Sequence, residues 1–103
     1  MVRPKINRTI SSNPNIVYFK PKGQPMSELE EVTLKMDEYE SIKLKDFNEF
    51  DQTKCAEKMQ ISQPTFNRIL NQARKKISDA IINGKAIRIE KGDKKWKILI
   101  SLF

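Results

Sequence analysis

Apolar residues recur at steps of three and four along two stretches of this chain, and the stretches almost touch. After Asp51, the residues Cys55, Ala56 and Met59 fall on one stripe. From Gln63 onward, Phe66, Ile69, Leu70, Ala73, Ile77, Ala80 and Ile81 fall on another. Spacing of this kind predicts two helices, each with a single buried face. Gln60, Ile61 and Ser62 break the pattern between them. Asp51 and Ser62 are good N-caps, and Pro64 sits in a first turn, where its missing N–H costs nothing. Asn83-Gly84 closes the second helix, with glycine where a left-handed cap is wanted.

The flanking segments carry other periods. Asp37 reads as the N-cap of an earlier helix, with Glu40 as its reciprocal partner and Tyr39, Ile42, Leu44 and Phe47 as its apolar set. Asn48, Glu49 and Phe50 form the next loop. The stretch NIVYFKP, residues 15–21, is rich in β-branched and aromatic residues and predicts a short strand. PKGQP is a turn, and residues 28–35 fit either an extended segment or an early helical turn. After Gly84 the period becomes two. Residues 86–90 alternate, 91–95 form a polar turn, and 96–103 are largely apolar, which predicts a hairpin over about 86–103. Its last strand needs a cover, either residues 15–20 or a second subunit. Residues 1–14, with two prolines and a Ser-Ser-Asn run, read as a basic flexible arm. The expected fold is mainly α with a small β element (α+β). One domain spans 15–103, with a helix-turn-helix core of about three helices at 37–83 and short antiparallel strands from the two terminal segments.

Charge adds a partner to this picture. The chain has 103 residues, enough for one modest core. Its net charge is +7, unevenly spread. Residues 1–25 and 52–103 are net basic and flank an acidic stretch at 26–51. Basic surfaces favour polyanions, nucleic acid first among them. No run of eighteen apolar residues occurs, so no membrane span is expected. The first residues lack the apolar stretch of a secretory leader, and a cytoplasmic location is expected. The single cysteine, Cys55, excludes an internal disulfide, and there is no histidine. With no nucleophile–base pair in view, the chain reads as a non-enzyme without cofactor or metal. Cys55 in an apolar stripe reads as packing rather than as a redox sensor.

The helix-turn-helix motif makes definite demands. Ala56 is the small residue where two helices cross, and Ile61 plugs the turn. Phe66, Ile69 and Leu70 pack back onto Cys55 and Met59. The turn usually holds a glycine at positive φ; here Gln60 stands there, at a cost of about 1 kcal/mol if the backbone is the same. An ordinary helical hairpin is the plainer alternative. With the apolar set inward, the second helix shows Gln63, Thr65, Asn67, Arg68, Asn71, Arg74 and Lys75 outward. No acidic residue occurs between Glu57 and Asp79. Asn, Gln and Arg side chains have the fork geometry that reads adenine and guanine edges. Gln63, Asn67, Arg68 and Asn71 are expected on bases or nearby phosphates, and Arg74, Lys75 and Lys76 on phosphates. In the arm, Arg3, Lys5 and Arg8 are candidates for a minor-groove contact, against the plainer reading of a loose basic terminus.

The order NIVYFKPKGQP, ELEEVTLKMDEYESIKLKDF, AEKMQISQPTFNRIL, ARKKISDAIINGKAIRIEKG resembles a small prokaryotic family, domain of unknown function 134. The resemblance runs from about Val2 to Gly92. It departs at Gln60, where the family usually has glycine, and in the tail. It implies a helix-turn-helix like region four of sigma factors, within the winged-helix-like DNA-binding class, and a role in transcription. It names no target and no ligand.

The expected function is sequence-specific double-stranded DNA binding as a transcriptional regulator. The alternative is a protein-interaction or RNA polymerase-docking module, for which the acidic stretch could serve. One recognition helix gives limited specificity, so a homodimer reading two half-sites is expected. The end of the long helix, 73–82, or the apolar tail would be its interface.

Overall fold

The computed structural model describes residues 9–10 and 17–90. In chain order they form strand β1 (Tyr18–Phe19), a 3₁₀ turn (Met26–Glu28), strand β2 (Glu31–Leu34) and helix α1 (Met36–Ile42). A π-helical turn (Lys43–Phe47) carries α1 onward. Helix α2 (Gln52–Met59), helix α3 (Gln63–Asn83) and strand β3 (Ala86–Ile89) come next. The expected α+β class holds.

β3 is the middle strand of a three-stranded sheet. β1 pairs with it antiparallel, Tyr18 opposite Arg88 and Phe19 opposite Ile87. Of the strand expected over 15–21, β1 takes Tyr18–Phe19, and residues 15 and 16 lie outside the described residues. β2 runs parallel to β3, from Glu31 opposite Ala86 to Leu34 opposite Ile89. Of the two readings of residues 28–35 the extended one holds: the 3₁₀ turn ends at Glu28 and the strand runs Glu31–Leu34. Parallel neighbours need a long crossover, and here all three helices make it. The expected hairpin is corrected in part. Its first arm exists as β3, but the strands beside β3 are β1 and β2. The second arm lies outside the described residues, as does most of the arm at 1–14.

Helix starts obey local chemistry. Asp51 Oδ1 accepts the Lys54 N–H at 2.8 Å, and Ser62 Oγ accepts the Thr65 N–H at 3.2 Å, as expected of N-caps. The first helix is a correction. It begins at Met36 with Lys35 as N-cap, so Asp37 lies in the first turn. A lysine side chain accepts nothing, and the carboxylate three residues on takes over: Glu38 Oε1 accepts the Lys35 N–H at 2.9 Å. Glu40, the expected partner, is buried.

The reversal between α2 and α3 turns on Gln60, which is left-handed at φ 58°, ψ 45°. Its N–H reaches the Glu57 carbonyl and the Ile61 N–H reaches the Ala56 carbonyl, both at 3.1 Å. These two bonds close the α2 end in the pattern of a Schellman cap. The close pairing brings Cys55, Ala56 and Met59 against Phe66 and Leu70, with Leu44 from the π-helical turn completing the cluster. Ile42, Phe50 and Ile61 pack around it. Further along α3, Ile69, Ala73 and Ala80 are buried, as are Leu34, Met36, Ala86 and Ile89. Ile77 is half-buried.

Two apolar residues depart from the expected core. Ile81 is 70% exposed, so the buried stripe of α3 ends at Ala80. Phe47 is 80% exposed. The Asn48 N–H bonds the Lys43 carbonyl at 2.8 Å, five residues back. One extra residue in a turn rotates the next part of the helix by about 100°, which leaves Leu44 inside and swings Phe47 out.

Replacing Gln60 with glycine should remove the left-handed strain and raise the unfolding free energy by about 1 kcal/mol. Gly84 (φ 66°) has nothing within 4 Å of where a Cβ would lie, so Gly84→Ala should destabilise through backbone strain alone, by a similar amount. Urea midpoints at constant slope would read both.

Candidate nucleic-acid interface

The polar face of α3 is a consequence of its core. Each residue turns about 100° around the axis, so burial of Phe66, Ile69, Leu70, Ala73 and Ala80 directs the remainder to solvent. Gln63, Asn67, Arg68, Asn71, Arg74 and Lys75 are all exposed. Asn67, Asn71 and Lys75 stand at steps of four and form a row about 12 Å long, with Arg68 beside it. Among the described residues Arg68 and Lys75 make no ion pair. The α3 segment itself therefore offers amide forks and cationic donors with no acidic residue among positions 58–78.

Three residues assigned to this face have other engagements. Thr65 is half-buried, and its hydroxyl accepts from Ser62 Oγ at 3.0 Å inside the N-cap. Arg74 is exposed but held. Its Nε donates to Asp46 Oδ2 at 3.1 Å and its Nη2 to Asp46 Oδ1 at 2.5 Å. The Arg74 hydrogen bond holds the Asp46 carboxyl below its ordinary value. The pair is therefore complete above the ordinary aspartate range, and its contribution fades only as pH falls through that lowered value.

Lys76 is a correction to the phosphate assignment. Its Nζ lies 2.8 Å from both Glu38 Oε1 and the Thr33 carbonyl. The Glu38 side chain is only 3% exposed. One ammonium thus ties α3 to α1 and β2, and the same carboxylate caps α1. Neither tie has a local sequence signal, because Lys76 and Glu38 are 38 positions apart and Arg74 and Asp46 are 28 apart.

Cys55 is fully buried, and its thiol donates weakly to the Phe50 carbonyl at 3.6 Å. Burial pushes the thiol up from its ordinary value, which disfavours the reactive thiolate. No group of three metal-ligating side chains occurs among the described residues, and no helix there is long and apolar enough to cross a membrane. Arg3, Lys5 and Arg8 lie outside the described residues. Thr9 is within them, and its N–H donates to the Met59 carbonyl at 2.8 Å, which brings the chain at residue 9 to the end of α2, beside the turn.

The fold and this face define a small α+β domain. Its longest helix is packed on a short one through a three-residue turn and turns a basic, amide-rich side to solvent. The chain belongs to the family described as protein of unknown function DUF134, whose model matches residues 1–97. It is 53% identical over 93 residues to a UPF0251 protein of Thermoanaerobacter pseudethanolicus, covering 90% of this chain and 79% of that one. It is 53% identical over 95 residues to a UPF0251 protein of Caldanaerobacter subterraneus, covering 92% and 80%. A UPF0251 protein of Halothermothrix orenii is 48% identical over 95 residues, covering 92% and 70%. No solved structure matches the chain.

Lys76→Met should leave the Glu38 carboxylate buried and short of a donor, costing about 1–3 kcal/mol. Lys75→Met, one residue away and exposed, should change stability by less than about 0.5 kcal/mol. Thermal or urea unfolding of the two variants side by side would separate a structural lysine from a surface one.

Proposed function

We propose that this protein binds double-stranded DNA in a sequence-specific manner and acts as a transcriptional regulator in the cytoplasm. In this reading α2, the turn and α3 form a helix-turn-helix like that of sigma region four, and the start of α3 enters the major groove. One observation carries it: Asn67, Arg68 and Asn71 stand exposed together on a well-supported helix, with Lys75 beyond them and no carboxylate on residues 58–78. A solvated face normally mixes charge signs. Asn67 and Asn71 suit adenine edges and Arg68 suits guanine, while Lys75 is placed for phosphate. Gln63, at the head of the helix, lies nearest the groove floor.

The arm residues Arg3, Lys5 and Arg8 belong to the same reading. The Thr9–Met59 bond holds Thr9 itself beside the turn, close to the end of α3 that would enter the groove. RNA polymerase is a further proposed partner, through the sigma-like motif. A homodimer is proposed as well. Ile81 and Ile82, 70% and 79% exposed at the end of α3, would meet a second copy there. Two half-sites about ten base pairs apart would then be read.

Selection of bound duplexes from a random pool tests the reading. Enrichment of a motif is expected, pseudo-palindromic if the protein is a dimer. No enrichment would favour a docking role instead. Arg68→Ala should cost about 1–3 kcal/mol on the selected site and relax base preference, while Lys75→Ala should weaken all sequences alike. Phosphate neutralisation by about five basic residues would give log K a slope of about −4 to −5 against log salt. If both variants keep wild-type gel-shift affinity, α3 is not the reading helix. Sedimentation that shows only monomer at tens of micromolar would remove the dimer.

A further inference from the structure

Arg74 and Asp46 stand out on this face, because here a cation aimed at DNA is already occupied by a carboxylate. We propose that Asp46 is a specificity-determining residue that masks Arg74 from non-cognate DNA. The proposal rests on the DNA-binding reading above and concerns how that face discriminates between sites.

Asp46 sits on the π-helical turn, 28 positions before Arg74 in sequence. Both carboxylate oxygens are used, one by Nε and one by Nη2. Side chains of both residues are exposed, 48% for Arg74 and 38% for Asp46, so the pair lies at the surface and is not a core tie. A guanidinium carries five donors in a planar fork. Asp46 takes the side edge, and the outer edge, which includes Nη1, is left for another acceptor.

Two kinds of DNA contact respond differently to such a pair. Non-specific binding depends on the number of phosphates neutralised and the counterions thereby released. Paired with Asp46, Arg74 adds no net charge and contributes little to that count. Specific binding draws on base contacts from Asn67, Arg68 and Asn71. Once these set the register, a phosphate brought to the outer edge of Arg74 can be hydrogen-bonded without displacing Asp46. The carboxylate therefore lowers affinity for arbitrary duplex more than affinity for the preferred site, which is a form of discrimination by a repulsive element. Lys75, one residue on, makes no ion pair among the described residues and should act uniformly. A structural role alone would not predict this split, because an exposed pair contributes little to folding.

Asp46→Asn is the test. Binding to a random-sequence duplex of about 20 base pairs and to the duplex recovered by selection is measured over a salt series. The variant is expected to bind the random duplex about 3- to 10-fold more tightly near 0.1 M salt, with a salt slope steeper by about 0.9, as one further phosphate contact would give. The gain on the selected duplex should be smaller, so the ratio between the two falls. In an Arg74→Ala background the same Asp46→Asn change should have no effect on slope, and Asp46→Glu should restore wild-type behaviour. The melting midpoint of each variant reports that it is folded. Unchanged or weaker binding of the random duplex by folded Asp46→Asn overturns the proposal while leaving DNA binding intact. A gain that persists without Arg74 also overturns it, since the carboxylate would then act as a general charge. Wild-type protein that binds neither duplex removes the DNA-binding reading and this proposal with it.

Discussion

The exposed side of α3 has a defined direction because Phe66 and Leu70 are locked against Cys55, Ala56 and Met59 on α2. Close packing of this kind leaves little rotational freedom, since interiors are as dense as organic crystals. Ala56 allows the two backbones to approach. Ile61 covers the side of the turn, and the left-handed Gln60 reverses the chain in three residues. Were the register of α3 to rotate, every residue of the polar row would leave its position. The polar face thus depends on an apolar contact on the other side of the same helix.

A second layer of constraint is ionic. Lys76 reaches Glu38 and the Thr33 carbonyl, and Glu38 also caps α1. The sheet joins the same construction, with β3 coming directly after α3 and pairing with β2 in parallel register. A carboxylate that buried is costly unless paired and hydrogen-bonded, and here it has two donors. The lysine is thereby drawn from the surface into the frame. Arg74 is drawn part of the way, to an exposed partner. A run of cations that looks uniform in sequence, Arg74-Lys75-Lys76, is divided by the fold into a paired residue, an exposed residue and a structural one.

In the proposed DNA-binding reading, this division bears on how a small basic domain would distinguish a site from bulk nucleic acid. Charge alone raises affinity everywhere. Directional donors on a rigid helix confer preference. Lys76 and Arg74 lower the freely available charge of the face while leaving Asn67, Arg68 and Asn71 presented, which shifts the balance toward direction and away from sheer attraction.

Much of the scaffold is legible in the residues taken one neighbourhood at a time. Asp51, Ser62 and Gly84 mark helix ends because capping is local chemistry, and the stripe from Phe66 to Ala80 marks the inner face because helical periodicity is local geometry. The exposed set on α3 comes from the same periodicity. Gln60 could be expected at positive φ because it stands where the helix-turn-helix motif usually has a glycine. Tertiary structure decided what local rules do not contain. The parallel pairing of β2 with β3 brings together segments more than fifty residues apart. The π-helical turn, which exposes Phe47 and offers Asp46 outward, has no mark in the apolar pattern. The partners of Lys76 and Arg74 are chosen by distance in space, and no spacing along the chain encodes a carboxylate that arrives from another helix.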